Sequence, residues 1–232
     1  MDGRRVRHPI CTGPGIVAAV AVPSPSGRPS STSPTDGAWL GPAAVLVPIK
    51  AFSDAKVRLA PALPAARRAD LARSMAATVI AAAQPLPTAV VCDDLEVATW
   101  ARARGALVVW EPGRGLNGAV EAGVAQLRGV GVERVIVAHA DLPRAGGLSA
   151  LADGAGVTMA PDRRRDGTNV IVVPAGAGFR FSYGPGSFAR HRAEAERLGL
   201  AVRVVDDPRL AFDVDWPADL DGLAPEGTWA AP

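Results

Sequence analysis

The chain has 232 residues, 48% of them hydrophobic, enough to bury one α/β core and short for two independent domains. A formal net charge of +2, with 21% of residues charged, announces no polyanion-binding surface, so nucleic acid is not an expected partner. No apolar run approaches the roughly 20 residues of a bilayer span, and Cys11 and Cys92 stand in unrelated contexts without metal-ligand spacing, which excludes a disulfide framework.

Arg4, Arg5 and Arg7 precede an apolar stretch at residues 16–22, a superficial likeness to a secretory signal. Pro9, Gly13, Pro14 and Gly15 interrupt it, and the expected location is the cytoplasm, with no membrane partner. Residues 23–38 are too polar and proline-rich to repay the entropy of ordering them. Residues 1–42 are therefore read as a disordered extension or an over-called gene start, residues 43–223 as one folded domain, and residues 224–232 as a short tail. Within the domain, short β-branched runs alternate with alanine-rich helical segments, the pattern of a single-domain α/β fold with a mostly parallel sheet flanked by helices. Strands are expected at residues 44–49, 89–92, 107–110, 134–138, 157–160, 169–173 and 202–205. Helices are expected at residues 65–83, 95–104, 117–128 and 188–198, with Leu71, Met75 and Val79 on one face of the first.

In an open sheet of this kind ligands gather at the carboxyl ends of the strands, so the residues that follow strands carry the information. After the first strand, Lys50, Lys56 and Arg58 place three cations in nine residues, either to neutralise a triphosphate or as a solvated basic loop. Neither a Walker glycine pattern nor a dinucleotide fingerprint explains that loop. After the third strand, Gly113 and Gly115 allow close backbone approach to a ligand, and Asn117 either caps the next helix or bonds a base or ribose. The fourth strand runs into Asp141-Leu142-Pro143, where the carboxylate either holds a hard cation or caps a turn; His139 is read as a packed histidine. Asp213 and Asp215 alternate onto one side of an extended segment and repel unless a cation sits between them. With Asp141 they would make an oxygen-rich site suited to Mg²⁺. Asp219 falls in the first turn of a helix begun by Pro217. Ser187, after two glycines, is expected at a helix N-cap, either as a plain capping turn or as a place to bind a carboxylate or phosphate through backbone amides.

Together these segments resemble the family of 2-phospholactate/phosphoenolpyruvate guanylyltransferases of coenzyme F-420 biosynthesis, over residues 44 to 221. The resemblance rests on Lys50 with Ala55-Lys56-Val57-Arg58-Leu59, Gly115-Leu116-Asn117, Ala140-Asp141-Leu142-Pro143, Gly167-Thr168-Asn169, Tyr183-Gly184-Pro185-Gly186-Ser187-Phe188 with His191, and Asp213-Val214-Asp215. It implies a nucleotidyltransferase fold of the GT-A type, with GTP and phosphoenolpyruvate as partners, and enolpyruvyl-diphospho-guanosine and pyrophosphate as products. By the same resemblance Asp141, Asp213 and Asp215 hold Mg²⁺. Thr168, Gly184 and Ser187 bind the phosphorylated acid, with Asn117 counted among the substrate-binding residues. Lys50, Lys56 and Arg58 face the triphosphate as catalytic cations. Val57, Trp216 and the long N-terminal extension depart from the family's pattern. The alternative acceptors are 2-phospho-L-lactate and 3-phosphoglycerate, and an arginine-rich composition typical of GC-rich bacterial genomes favours phosphoenolpyruvate. Two rival readings are a same-fold nucleotidyltransferase for another substrate, which usually has a glycine-rich first loop, and a non-catalytic nucleotide-binding regulatory module, which would not need all three acidic residues.

Overall fold

A computed structural model describes residues 40–223 of the chain; the expected extension, the tail and Cys11 lie outside them, except for residues 40–42. The described part is a seven-stranded sheet in the order β3-β2-β1-β4-β6-β5-β7. Its strands are β1 (Ala43–Pro48), β2 (Thr88–Cys92), β3 (Leu107–Trp110), β4 (Arg134–Ala138), β5 (Val157–Pro161), β6 (Thr168–Pro174) and β7 (Val202–Val204). The helices are α1 (Ala65–Ala82), α2 (Leu95–Arg102), α3 (Gly115–Gly129), α4 (Ser187–Arg197) and the short α5 (Pro208–Ala211). Pairings among β1, β2, β3 and β4 and between β5 and β7 are parallel, whereas β6 runs antiparallel to both β4 and β5. The sheet is thus mostly parallel, as the alternation of strands and helices requires.

Strand β1 is buried on both faces, and its period of two divides the core. Val45 and Val47 join α1 and α2 in one apolar cluster, while Ala44 and Leu46 face Val120, Val124 and Leu127 of α3 in another. Each fully buried aliphatic side chain such as Leu127 contributes about 1.5–3 kcal/mol relative to leaving it in water. A third, smaller cluster bears directly on function. Leu71 and Met75 of α1 clasp Leu59 from the loop after β1 and Phe212 and Val214 from near the C-terminus. Two segments separated by some 150 residues are thereby fixed side by side at the carboxyl edge of the sheet.

Two expected caps are corrected. The third helix begins at Gly115, with Arg114 at its N-cap, so Asn117 lies inside the first turn and caps nothing. The N-cap of α4 is Gly186, at φ 72°, because a left-handed turn suits a residue without Cβ; Ser187 is the first helical residue instead. Helix α5, whose Asp207 caps it by accepting from the Arg209 amide, was not foreseen.

Candidate active site

The loop after β1 carries the chain's only two lysines. Lys56 has φ 55° and ψ 40°, a left-handed conformation that costs a residue bearing a Cβ roughly 1–2 kcal/mol and is held only when its surroundings demand it. Here Leu59 anchors the following turn, Val57–Leu59, in the third apolar cluster. The result is that the Lys56 ammonium lies 2.7 Å from Asp141 Oδ2 and 2.9 Å from Asp215 Oδ1. A compact ammonium with three donors suits such a bridging position. Arg58 adds a longer contact, 3.3 Å to Asp215 Oδ2, and its guanidinium lies over the Trp216 ring at 5.1 Å. Trp216, one of the departures noted in the sequence, thus backs a cation at the mouth of the site.

Asp141 stands three residues beyond the end of β4, and its Oδ1 is buried with no hydrogen-bond partner. Asp213 and Asp215 flank Val214, which is fully buried; anchoring the middle residue turns both carboxylates to the opposite side, as their spacing predicts. Asp219 wires this segment together. Its Oδ2 accepts from the amides of Asp215 and Trp216, and its Oδ1 from Arg163 Nη2, which also donates to the Asp213 carbonyl. The Arg163 guanidinium lies over the Phe212 ring, 4.5 Å from its centroid. Asp219 does lie in the first turn begun by Pro217, but its larger duty as the tie of the acidic segment has no local signature in the chain.

Burial opposes charge on Lys56, but the carboxylates of Asp141 and Asp215 outweigh it and hold the ammonium above the usual lysine range. Burial likewise opposes ionisation of Asp141, and the facing Lys56 charge overcomes it, so its carboxyl lies below the usual range. Asp213 has no such partner: burial and the charges of Asp141 and Asp215 push it up to about 6. Among the described residues no three acidic, histidine or cysteine side chains converge closely enough to enclose a cation. Asp141 and Asp215 bracket Lys56 instead. The donor set still fits a hard cation: three carboxylates, one with an unpartnered buried oxygen and one kept from easy ionisation by uncompensated negative charge.

Two cavities meet at this acidic wall. The first, of 270 Å³, is lined by Thr168, Gly184, Ser187 and Asp213; the second, of 530 Å³, by Lys50, Lys56, Ile49 and Leu116. Arg58, His139, Asp141 and Asp215 border both. His139 packs against Tyr183 at 4.9 Å between ring centroids, as a packed histidine should, and burial lowers its pKa.

The first cavity is braced from behind. His191, fully buried, accepts the Ser182 amide on Nε2 at 2.9 Å and lies 3.0 Å from Thr168 Oγ1 through Nδ1. Since Nε2 accepts, the proton of the neutral ring is on Nδ1 and is donated to Thr168, which leaves the threonine hydroxyl hydrogen to point elsewhere. The Thr168 amide donates to Ser187 Oγ, and the Gly186 amide to Asp166 Oδ2. Asn117 lines neither of the two cavities; its Oδ1 accepts the Tyr183 amide at 2.7 Å, so it ties the loop before α4 to the first turn of α3. The sequence motif includes His191 without indicating its bracing role, and nothing in the sequence marks Arg163 or the tie through Asp166, because each acts on residues distant in the chain.

The model of the family described as "Guanylyl transferase CofC like" matches residues 43–228. A phosphoenolpyruvate guanylyltransferase of Sphaerobacter thermophilus is 36% identical over 188 residues, covering 77% of this chain and 91% of the relative. One from Rubrobacter xylanophilus is 36% identical over 191 residues, covering 78% and 93%. A 2-phospho-L-lactate guanylyltransferase of Halorubrum lacusprofundi is 45% identical over 116 residues, covering 47% and 52%. Among solved structures, a Methanothermobacter nucleotidyl transferase superposes with TM-score 0.57 at 16% identity, covering 78% of this chain and 95% of the other. 4-Diphosphocytidyl-2C-methyl-D-erythritol synthase does so with TM-score 0.54 at 14% identity, covering 78% and 95%. These two likenesses bear on the fold, which is that of nucleotidyltransferases.

Proposed function

The chain belongs to the CofC-like guanylyl transferase family, and from that premise we propose that it transfers GMP from GTP to phosphoenolpyruvate, giving enolpyruvyl-2-diphospho-5′-guanosine and pyrophosphate. The relatives matched over most of their length carry the name phosphoenolpyruvate guanylyltransferase, whereas the phospholactate enzyme matches over half of its own. The observation that carries the reading is the meeting of two cavities at Arg58, His139, Asp141 and Asp215: one substrate in each brings their reacting groups together at the shared wall.

In this arrangement Lys50, Lys56 and Arg58 face the triphosphate in the larger cavity. Thr168, Gly184 and Ser187 hold the acid in the smaller, with the Thr168 hydroxyl hydrogen released for donation by the His191 bond. A phosphate oxygen of the acid attacks the α-phosphorus of GTP, a new P–O bond forms, and the bond from the α-phosphorus to the bridging oxygen of the departing pyrophosphate breaks. The acceptor is already an oxyanion, so no protein nucleophile or base is needed; alignment and neutralisation of charge do the work. Asp141, Asp213 and Asp215 would hold Mg²⁺. That ion would supply charge neutralisation at the phosphates, in addition to the charge of Lys56, which lines the larger cavity. The same proposal places the product in coenzyme F-420 biosynthesis and the enzyme in the cytoplasm, acting without a nucleic acid or membrane partner; no described helix is long and apolar enough to cross a membrane.

The test is pyrophosphate release by the purified protein with Mg²⁺ and GTP, offering phosphoenolpyruvate, 2-phospho-L-lactate and 3-phosphoglycerate in turn, with products identified by mass spectrometry. A guanylylated phosphoenolpyruvate formed fastest is the expected result. Faster turnover of either other acid would reassign the acceptor, and none with any of the three would sink the reading.

A further inference from the structure

A smaller recess, of 80 Å³, opens beside the larger cavity and shares Pro48, Ile49, Lys50 and Leu116 with it. It lies at the carboxyl ends of β2 and β3. Cys92 pairs with Trp110 in the parallel register of those strands, so the next residues, Asp93 and Glu111, emerge side by side on strands about 4.8 Å apart. Both line the recess, whose wall apart from Lys50 is otherwise mostly apolar, with Val91, Leu116 and Ala119.

Glu111 is held firmly. Its side chain is 13% exposed, its Oε1 accepts Gln126 Nε2 at 2.8 Å and its Oε2 pairs with Arg114 at 2.5 Å. A carboxylate has about four lone-pair positions, so after these two bonds it still accepts, and it does so in a fixed direction. Asp93 beside it is exposed. Two carboxylates repel phosphate, so the recess does not continue the phosphate site. Lys50, on the border between the two spaces, marks where one chemistry gives way to the other.

An apolar slot edged by carboxylate acceptors takes a flat ring that presents two adjacent donors. Guanine presents N1–H and the 2-amino group as adjacent donors. Adenine presents the unprotonated N1 beside its amino group, and that lone pair meets the carboxylate's own. The geometry points to a guanine-reading subsite in which Glu111, seconded by Asp93, accepts from the N1–H and 2-amino edge of the nucleotide whose phosphates face Lys50. This rests on the reading that a guanine nucleotide is the donor, and it supplies the residues that select it. The recess holds the edge of the base, with the ring at the mouth against Ile49 and Leu116.

The test is calorimetric binding of GTP, ITP and ATP, with Mg²⁺, to the wild-type protein, Glu111→Gln and Asp93→Asn, with folding of each checked by thermal melting. Wild type is expected to prefer GTP over ATP by on the order of ten- to a hundredfold, with ITP, which lacks the 2-amino group, weaker than GTP. Glu111→Gln should bring GTP within about threefold of ATP, and Asp93→Asn should reduce the preference in part. An unchanged GTP-over-ATP ratio in Glu111→Gln overturns the proposal, as does wild-type binding that ignores the base. If Glu111→Gln fails to fold, equal wild-type binding of ITP and GTP, together with an unaltered Asp93→Asn, overturns it. Selective GTP binding that is lost in Glu111→Gln, without turnover of any of the three acids, upholds this subsite and defeats only the acceptor assignment above.

Discussion

Asp213 is the least comfortable charge in the site. Burial and two neighbouring carboxylates raise its pKa to about 6, and neither lysine answers it. The sign follows: a carboxyl raised in the folded state above its ordinary value of 3.8 stabilises the fold below that value, and the contribution is lost as pH rises through about 6. At pH 7.5 without Mg²⁺ the ionised group therefore weakens the fold. Asp213→Asn is expected to stabilise the metal-free protein by about 1–2 kcal/mol, discounting the shift for solvent screening, and to abolish pyrophosphate release. Denaturant unfolding in chelator together with the turnover assay checks both halves. A variant that is less stable than wild type would show that Asp213 is structural.

At the scale of elements, the loop before α4 depends on one imidazole. Burial, with the Arg190 charge and the neighbouring His139 imidazole as lesser causes, lowers His191 to about 4, so the ring is neutral where it joins Thr168 to Ser182. A histidine lowered in the folded state stabilises the fold above its unfolded value of 6.5, and that contribution is lost as pH falls toward 4. In His191→Gln, the stability advantage of wild type should shrink by about 3 kcal/mol between pH 7 and pH 4, read from unfolding curves at each pH. A constant difference would mean that the ring is charged or solvated. The junction of β5 with β7 is set by backbone proximity instead: a Cβ on Gly156 would stand 2.1 Å from the Ala201 carbonyl oxygen. Gly156→Ala should cost about 1–3 kcal/mol through forced displacement of β7, visible as a lowered denaturation midpoint with little change in KM.

Across the whole molecule, Lys56 joins three parts of the chain: the loop after β1, the end of β4 and the segment before Pro217. Lys56→Gln leaves Asp141 and Asp215 facing each other without their cation. Without Mg²⁺ this variant is expected to lose about 1–3 kcal/mol, since the pair is only partly shielded from water. Millimolar Mg²⁺ should raise its melting temperature by more than that of wild type, because a bound cation replaces the missing one. Equal shifts in both proteins would separate the metal from these carboxylates.

The α/β pattern, most strand positions and the acidic and basic ends of strands follow from the sequence alone, because hydrophobic period and chain position decide them locally. Val214 between Asp213 and Asp215 is enough to turn two carboxylates the same way. The antiparallel insertion of β6, the pairing of Lys56 with two distant carboxylates, and the duties of Asp219, Asn117 and His191 came only with the tertiary structure. Each depends on which segments the three apolar clusters bring together, and a side chain's partner across 60 or more residues, such as Tyr183 for Asn117 or Asp141 for Lys56, leaves no periodic trace in the chain. Helix caps fell between the two: Asn117 and Ser187 have the chemistry of caps, but the left-handed freedom of Gly186 and the earlier start of α3 at Gly115 moved both residues inside their helices, where their side chains bind the fold together instead.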